Sequence, residues 1–280
     1  MNKKRFSLMT FPMEIDLWAK KLSIENLFEL AEENEISYID VMNIRKKDIK
    51  TYQSASHKTN TRIYCYIASV SFFNSERKIE SQIRSNLETA RMLGAKLLMI
   101  VPYKGKKDLK YAKKIGHDAT IQKLIEGFRI AVNQGENFDI KVCFETTPHD
   151  VLCLSGSLDC KEILQKVKGL GYVFDTANSL PHGENPFENY MVLRDYIVHV
   201  HLKDVCLIDG MKISLGQEAS KDGQLMQCVV WGEGIIPIQK IYNLMRETGY
   251  DGLFAIEYVH PKEIFAGKVE HDKQLKKFEI

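Results

Sequence analysis

Short apolar runs recur along this chain of 280 residues, and each is followed by a longer amphipathic stretch. The runs are Phe6–Thr10, Tyr38–Met42, Arg62–Val70, Lys96–Val101, Lys141–Glu145, Tyr172–Asp175, Val198–Leu202 and Leu253–Glu257. Between them, apolar residues at helical spacing mark Ser23–Asn34, Glu76–Leu93, Ala119–Asn133, Leu158–Lys168 and Pro237–Thr248. Strands that all run in one direction need a crossover between each pair, and a helix is the usual one. Alternation of this kind predicts an α/β fold, a parallel sheet jacketed by helices. Eight units suit a (β/α)8 TIM barrel, a single domain of about 250 residues. Periodicity alone does not prove closure. No Gly-rich phosphate loop follows any run, which counts against an open nucleotide-binding sheet.

No composition break or low-complexity linker divides the chain, so residues 1–280 read as one domain. Cys206 to Trp231 departs from the alternation: it is too long for an ordinary βα loop of about 2–6 residues. Asp209-Gly210 is a turn signal and Cys228–Trp231 resembles a strand, so a hairpin over the barrel mouth is expected at about 206–231.

Lys and Arg total 39 against 37 Asp and Glu, a net charge of +2. That balance lacks the basic face of a nucleic-acid binder and points to a small-molecule partner. The six cysteines form no C-x-x-C pair, and several sit in apolar runs, where Cys acts as a small hydrophobe. They suggest a reducing, cytoplasmic setting without a disulfide framework. Glu14 and Asp16 interrupt the apolar patch that follows the basic N-terminus before a signal-peptide core can form. No run approaches the roughly 20 apolar residues of a membrane helix. Arg45-Lys46-Lys47 and Lys104-Gly105-Lys106-Lys107 read as solvated surface. Assembly is left open, a homo-oligomer included.

The last four strands share a pattern. A strand points alternate residues to opposite faces. Val142 and Phe144 oppose Cys143 and Glu145; Tyr172 and Phe174 oppose Val173 and Asp175. Val198, Val200 and Leu202 oppose His199 and His201, and Phe254 and Ile256 oppose Ala255 and Glu257. Bulky residues can thus face helices while small or polar ones face the barrel interior. The C-terminal ends of barrel strands converge on the mouth, where active sites of this fold sit. Taken singly, each residue has an ordinary explanation. Glu145 or Glu257 could pair with a loop cation, Asp175 could cap a turn at Thr176, and His201 could be a core histidine. Four residues of matching parity on four strands point instead to a shared site.

Three carboxylates near one axis repel strongly in a poorly solvated place. No arginine ends these strands. One divalent metal ion would resolve the conflict, with His201 as a neutral fourth ligand. Oxygen-rich ligation with one imidazole suits Mn²⁺, Mg²⁺ or Co²⁺, and Zn²⁺ is compatible with it.

The same four strands resemble the xylose isomerase-like TIM barrel superfamily, which holds the sugar phosphate isomerase/epimerase family. The matching pieces are Cys143-Phe144-Glu145, Phe174-Asp175-Thr176-Ala177-Asn178, His199-Val200-His201-Leu202-Lys203-Asp204, Gly232-Glu233-Gly234 and Gly249-Tyr250-Asp251-Gly252 through Ile256-Glu257. The likeness is close from Ile140 to Val259 and architectural before that. It implies that Glu145, Asp175, His201 and Glu257 are metal ligands and that Glu145 and Glu257 are the acid/base pair.

The resemblance also implies a metal-dependent sugar isomerase or epimerase, working by proton transfer next to a carbonyl through an enediolate. Its partner would be a small sugar or polyol. His199 lies one pleat deeper, roughly 6–7 Å, and is expected to support the ligands or face substrate. Lys203 is a candidate to hold a substrate oxygen or is a loop cation; Asn178 and His182 are further substrate-binding candidates. Many relatives have a histidine near Asn178 and a glutamate at Met42, so this chain departs from them there. The first four strands, ending in Phe11, Met42, Ser69, Pro102 and Tyr103, would read the far end of the substrate.

Other readings within the resemblance are a metal-dependent dehydratase of a cyclic polyol, like inosose dehydratase, and an apurinic-site endonuclease. The endonuclease uses extra histidines on strands three and four, where this chain has Ile67-Ala68-Ser69-Val70 and Ile100-Val101-Pro102-Tyr103. A non-catalytic sugar-binding barrel is the remaining reading, since fold alone never settles function.

Overall fold

A computed structural model describes residues 5–147, 152–209, 217–220 and 223–257. Its strands are β1 (Phe6–Met9), β2 (Tyr38–Met42), β3 (Arg62–Ser69), β4 (Leu97–Val101), β5 (Lys141–Glu145), β6 (Gly171–Asp175) and β7 (Ile197–Leu202), then β8 (Asp204–Ile208), β9 (Gln217–Ala219), β10 (Leu225–Val229) and β11 (Phe254–Ile256). The helices are α1 (Glu14–Trp18), α2 (Ile24–Glu33), α3 (Ile49–Lys58), α4 (Glu76–Leu93), α5 (Lys106–Ile115), α6 (His117–Glu136), α7 (Ser157–Lys166), α8 (Pro186–Leu193) and α9 (Ile238–Glu247).

Eight strands close into a barrel in the order β1-β11-β7-β6-β5-β4-β3-β2. The seam is parallel like the rest: Phe6 stands beside Phe254 on one side of β1 and Ser7 beside Tyr38 on the other. Closure removes both edges of this sheet, so no barrel strand is left with a row of unpaired backbone groups.

Side-chain alternation divides the core in two. Val142, Phe144, Tyr172, Phe174, Phe254 and Ile256 pack in the large cluster under the helices. Cys143, Val173 and Ala255 join Met9, Cys65, Ile67, Leu97 and Met99 in a smaller cluster inside the barrel. Narrow residues suit that interior, because side chains from all eight strands compete for it.

One strand breaks the simple rule. Tyr172 pairs with Ile197 but Val173 pairs with His199, so Val198 falls at a register irregularity. Its side chain packs against the interior cluster rather than opposing both histidines as alternation predicts. The irregularity restores the parity of His199 and His201 beyond it, and Val200 and Leu202 lie in the outer core.

The expected hairpin is a three-stranded antiparallel sheet ordered β8-β10-β9. Val205 pairs with Cys228 and Cys206 with Gln227. The sheet starts at Asp204, two residues before the expected boundary, and Gly210 of the turn signal lies outside the described residues. Trp231 anchors its end: the indole N–H donates to the Leu202 carbonyl at 2.8 Å, and the ring lies 6.3 Å from Phe6. Asp204 locks the connection to α9, its carboxylate accepting the backbone N–H groups of Val205, Gly232, Gly234 and Ile236 at 2.8–3.1 Å. A Cβ at Gly234 would overlap Asp204 Oδ1 and the Val205 carbonyl, so this close approach requires glycine.

Candidate metal centre at the barrel mouth

Glu145 ends β5, Asp175 ends β6, His201 lies near the end of β7, and Glu257 directly follows β11. Alternation turns all four inward, and the closing order sets β6 and β7 between β5 and β11. Each of the four offers one ligand atom within 4.8 Å of the others. His201 Nδ1 stands 3.0 Å from Glu145 Oε2 and 3.3 Å from Glu257 Oε2. Asp175, His201 and Glu257 are buried, and Glu145 retains partial exposure toward the mouth.

The loop after β6 aims Asp175. Its Oδ1 accepts the N–H groups of Ala177 and Asn178, both at 2.7 Å. Thr176 ties this turn to β7 by donating to the Lys203 carbonyl at 2.7 Å. Asp175 is therefore both the turn residue and a site residue. One oxygen is spent on the turn, which leaves Oδ2 directed at the cluster without a hydrogen-bond donor. Lys203 Nζ stands 3.5 Å from that oxygen and 3.4 Å from Glu257 Oε1, and it donates to Asn178 Oδ1 at 2.6 Å.

The electrostatics show an unresolved charge conflict. Burial, aided by Glu257 and Glu145 and opposed by Lys203 and His201, pushes Asp175 up to about 7. Burial disfavours a charged His201, yet its contacts to Glu145 and Glu257 outweigh that and hold the imidazolium well above the ordinary histidine range. Burial would also raise Glu257, but Lys203 and His201 more than offset it and hold the carboxyl down to about 2. Protons on His201 and Asp175 thus do what a dication would do better. Three carboxylates, one imidazole and an undonated buried oxygen fit a divalent metal.

A family model described as "Xylose isomerase-like TIM barrel" matches residues 25–277. The chain belongs to that family. Among solved structures, the probable 3-DHS dehydratase AsbF of Bacillus anthracis is 16% identical with a TM-score of 0.69, over 96% of this chain and 97% of that one. The IOLI protein with a binding zinc atom is 19% identical, TM-score 0.67, over 98% and 96%. A D-tagatose 3-epimerase-like protein is 17% identical, TM-score 0.67, over 98% of both chains. At these identities the likeness is one of fold. No curated protein matches the sequence.

Within this family barrel the remaining candidates separate. Lys203 and Asn178 line a mouth cavity of about 200 Å³ beside Glu145 and Glu257. A single water needs roughly 10–15 Å³ on this measure, so the space suits a small molecule. Its far wall is Met9, Phe11, Met42, Val101 and Tyr103. Ser69 and Pro102, expected there, do not line it, and neither does any described residue of the β8-β10-β9 sheet.

His182 closes a short turn after β6 and is not among the lining residues. His199 does not line the cavity either, which favours the first of its two expected places, beneath the ligands, over one facing substrate. It is fully buried one pleat below His201, and its Nε2 is 2.7 Å from Asp40 Oδ2. Asp40, on β2 across the barrel, also accepts the Ser7 hydroxyl at 2.9 Å.

Sequence reasoning passed over Asp40, although a lone acid inside the apolar run Tyr38–Met42 is itself a signal. Asp40, His199 and His201 offer three further ligand atoms within 4.8 Å. All three are sealed from solvent and two already bond each other, whereas the mouth group borders the open cavity.

Proposed function

We propose that this barrel is a divalent-metal-dependent sugar isomerase or epimerase that transfers a proton on the carbon next to a carbonyl. The observation that carries the reading is the placement of Glu145 and Glu257. They reach His201 Nδ1 from the two sides, Glu145 from β5 two strands away and Glu257 from the end of the adjacent β11, and line the same cavity. Glu145, Asp175, His201 and Glu257 would hold the ion, Mn²⁺, Mg²⁺ or Co²⁺ by donor type, with Zn²⁺ also suited. When bound, a divalent ion polarises a carbonyl and offsets charge developing on its oxygen.

The chain's own groups supply the rest. One glutamate takes the proton from the carbon beside the carbonyl, and the other, from the opposite side, returns one. Return to the other face of the same carbon inverts it; return to the neighbouring carbon exchanges aldose and ketose. Lys203, held by Asn178, presents an ammonium to a substrate oxygen at the cavity wall. Phe11, Met42 and Tyr103 exclude water and pack on the carbon side of the substrate. The proposed setting is the cytoplasm, in keeping with cysteines such as Cys65, Cys143 and Cys160 that sit buried in the core as small hydrophobes.

A panel of ketoses and cyclic polyols incubated with Mn²⁺ in heavy water tests the reading. Metal-dependent deuterium incorporation next to the carbonyl, with an isomer as product, is expected. Loss of water instead of isomer formation would move the assignment to a dehydratase. Turnover untouched by a chelator would overturn it.

A further inference from the structure

We propose that His117, Cys153 and Asp159 form a second metal site, of the zinc type, on the rim of the barrel outside the mouth. The three come from separate segments. His117 is the first residue of α6, Cys153 lies in the connection from β5 to α7, and Asp159 is in the first turn of α7. One ligand atom from each lies within 4.8 Å of the others.

The ring of His117 is already oriented as a metal ligand's would be. Its Nε2 is 3.1 Å from Asp159 Oδ2, and its Nδ1 is 3.1 Å from Asp118 Oδ1. Ligating histidines commonly have the second nitrogen held by a carboxylate, which fixes tautomer and ring plane. Asp118 takes that part here and leaves Nε2 for the ion. The Cys153 thiol lies against the same turn, with Sγ 3.7 Å from the His117 carbonyl oxygen.

Thiolate, imidazole and carboxylate together suit a borderline-soft ion, zinc in nature and cobalt as a probe, rather than Mg²⁺ or Mn²⁺. Ligands of a tetrahedral zinc stand roughly 3.3–3.8 Å apart, given bonds of about 2.0–2.3 Å. Cys153 is fixed at 3% exposure, whereas the His117 side chain is 56% exposed and that of Asp159 31%. Rotation of the two more exposed side chains would therefore close the site on the buried sulfur. Binding releases the thiol proton and the proton His117 shares with Asp159 to solvent. Three protein ligands leave a fourth position for water on the outer side.

The location gives the ion a structural consequence. Thr147 N–H donates to the Leu154 carbonyl at 2.9 Å, so the turn bearing Cys153 is tied to Thr146 and Thr147, which line the mouth cavity next to Glu145. A metal at the rim would brace the exit of β5 against α6 and α7.

The donor sets make the two centres separable, because the mouth group has no sulfur. Chelator-treated, reduced full-length protein is titrated with Co²⁺ and followed by absorption. A thiolate-to-cobalt charge-transfer band in the near ultraviolet is expected in the wild type and lost in Cys153→Ser, while the visible bands of a mouth-bound ion remain. His117→Ala, at an exposed position, and Asp159→Asn, at a half-buried one, should weaken the band's apparent affinity by about tenfold or more. Zn²⁺ should raise the thermal midpoint of the wild type by more than that of His117→Ala, which keeps only the mouth site's share of the shift. Absence of a charge-transfer band in the wild type, its survival in Cys153→Ser, or its indifference to both His117→Ala and Asp159→Asn would overturn the proposal. Failure of the mouth chemistry would leave the band untouched.

Discussion

At the scale of single residues, charge decides most of what the site does. Glu257 is held ionised by Lys203 and His201 inside a buried cluster. Glu257→Gln keeps the shape and removes the proposed base, so turnover should fall about 10²–10⁴-fold while circular dichroism stays that of the wild type. Metal must displace protons from Asp175 and His201, both raised by their surroundings. Affinity for Mn²⁺ should therefore climb from about pH 6 to about pH 8, with proton release visible by calorimetry in buffers of different ionisation enthalpy.

Glu14 gives an independent case. Burial raises it from 4.5 to about 7. A raised acid favours the fold only while protonated, so its contribution is complete below 4.5 and is lost as pH rises through 7. Glu14→Gln should thus stabilise by up to about 3 kcal/mol at pH 8 or so and by almost nothing near pH 4, a trend denaturant titration at several pH values measures.

The four mouth residues were legible in the sequence because each is the polar residue nearest a strand's end on the inward face. Asp40 was not. Its partner His199 lies 159 positions away on the far side of the barrel, and alternation says nothing about which inward residues meet across the axis.

At the scale of elements, the eight barrel strands follow from apolar runs, but the local departures do not. Val198 reads as an ordinary outward valine until the pairing with β6 slips by one residue. β9 is three residues long and gives no periodic signal. The segment after β7 holds its place through one carboxylate. Asp204 accepts four backbone N–H groups from the chain that leads into α9. Removing it in Asp204→Ala strands those donors, each worth about 0.5–1.5 kcal/mol net, so a loss of about 2–4 kcal/mol is expected in urea unfolding. Hydrogen exchange should quicken first in β10 and around Trp231. Uniform quickening across the barrel strands instead would show that Asp204 acts on the whole fold and not on this connection.

At the scale of the molecule, family membership and closure agree with eight barrel strands in one chain. What the whole fold contributes is convergence: residues between positions 145 and 257 reach a common point only because β11 returns to lie between β7 and β1. On the proposed reading, the barrel gathers three carboxylates and an imidazole at one end to hold a cation. The most direct test is an anomalous-difference map from crystals soaked in Mn²⁺. A single strong peak is predicted within about 2.0–2.4 Å of Glu145, Asp175, His201 and Glu257 together. A mouth with no peak, or a peak bound elsewhere while those four side chains keep their mutual contacts, would contradict it.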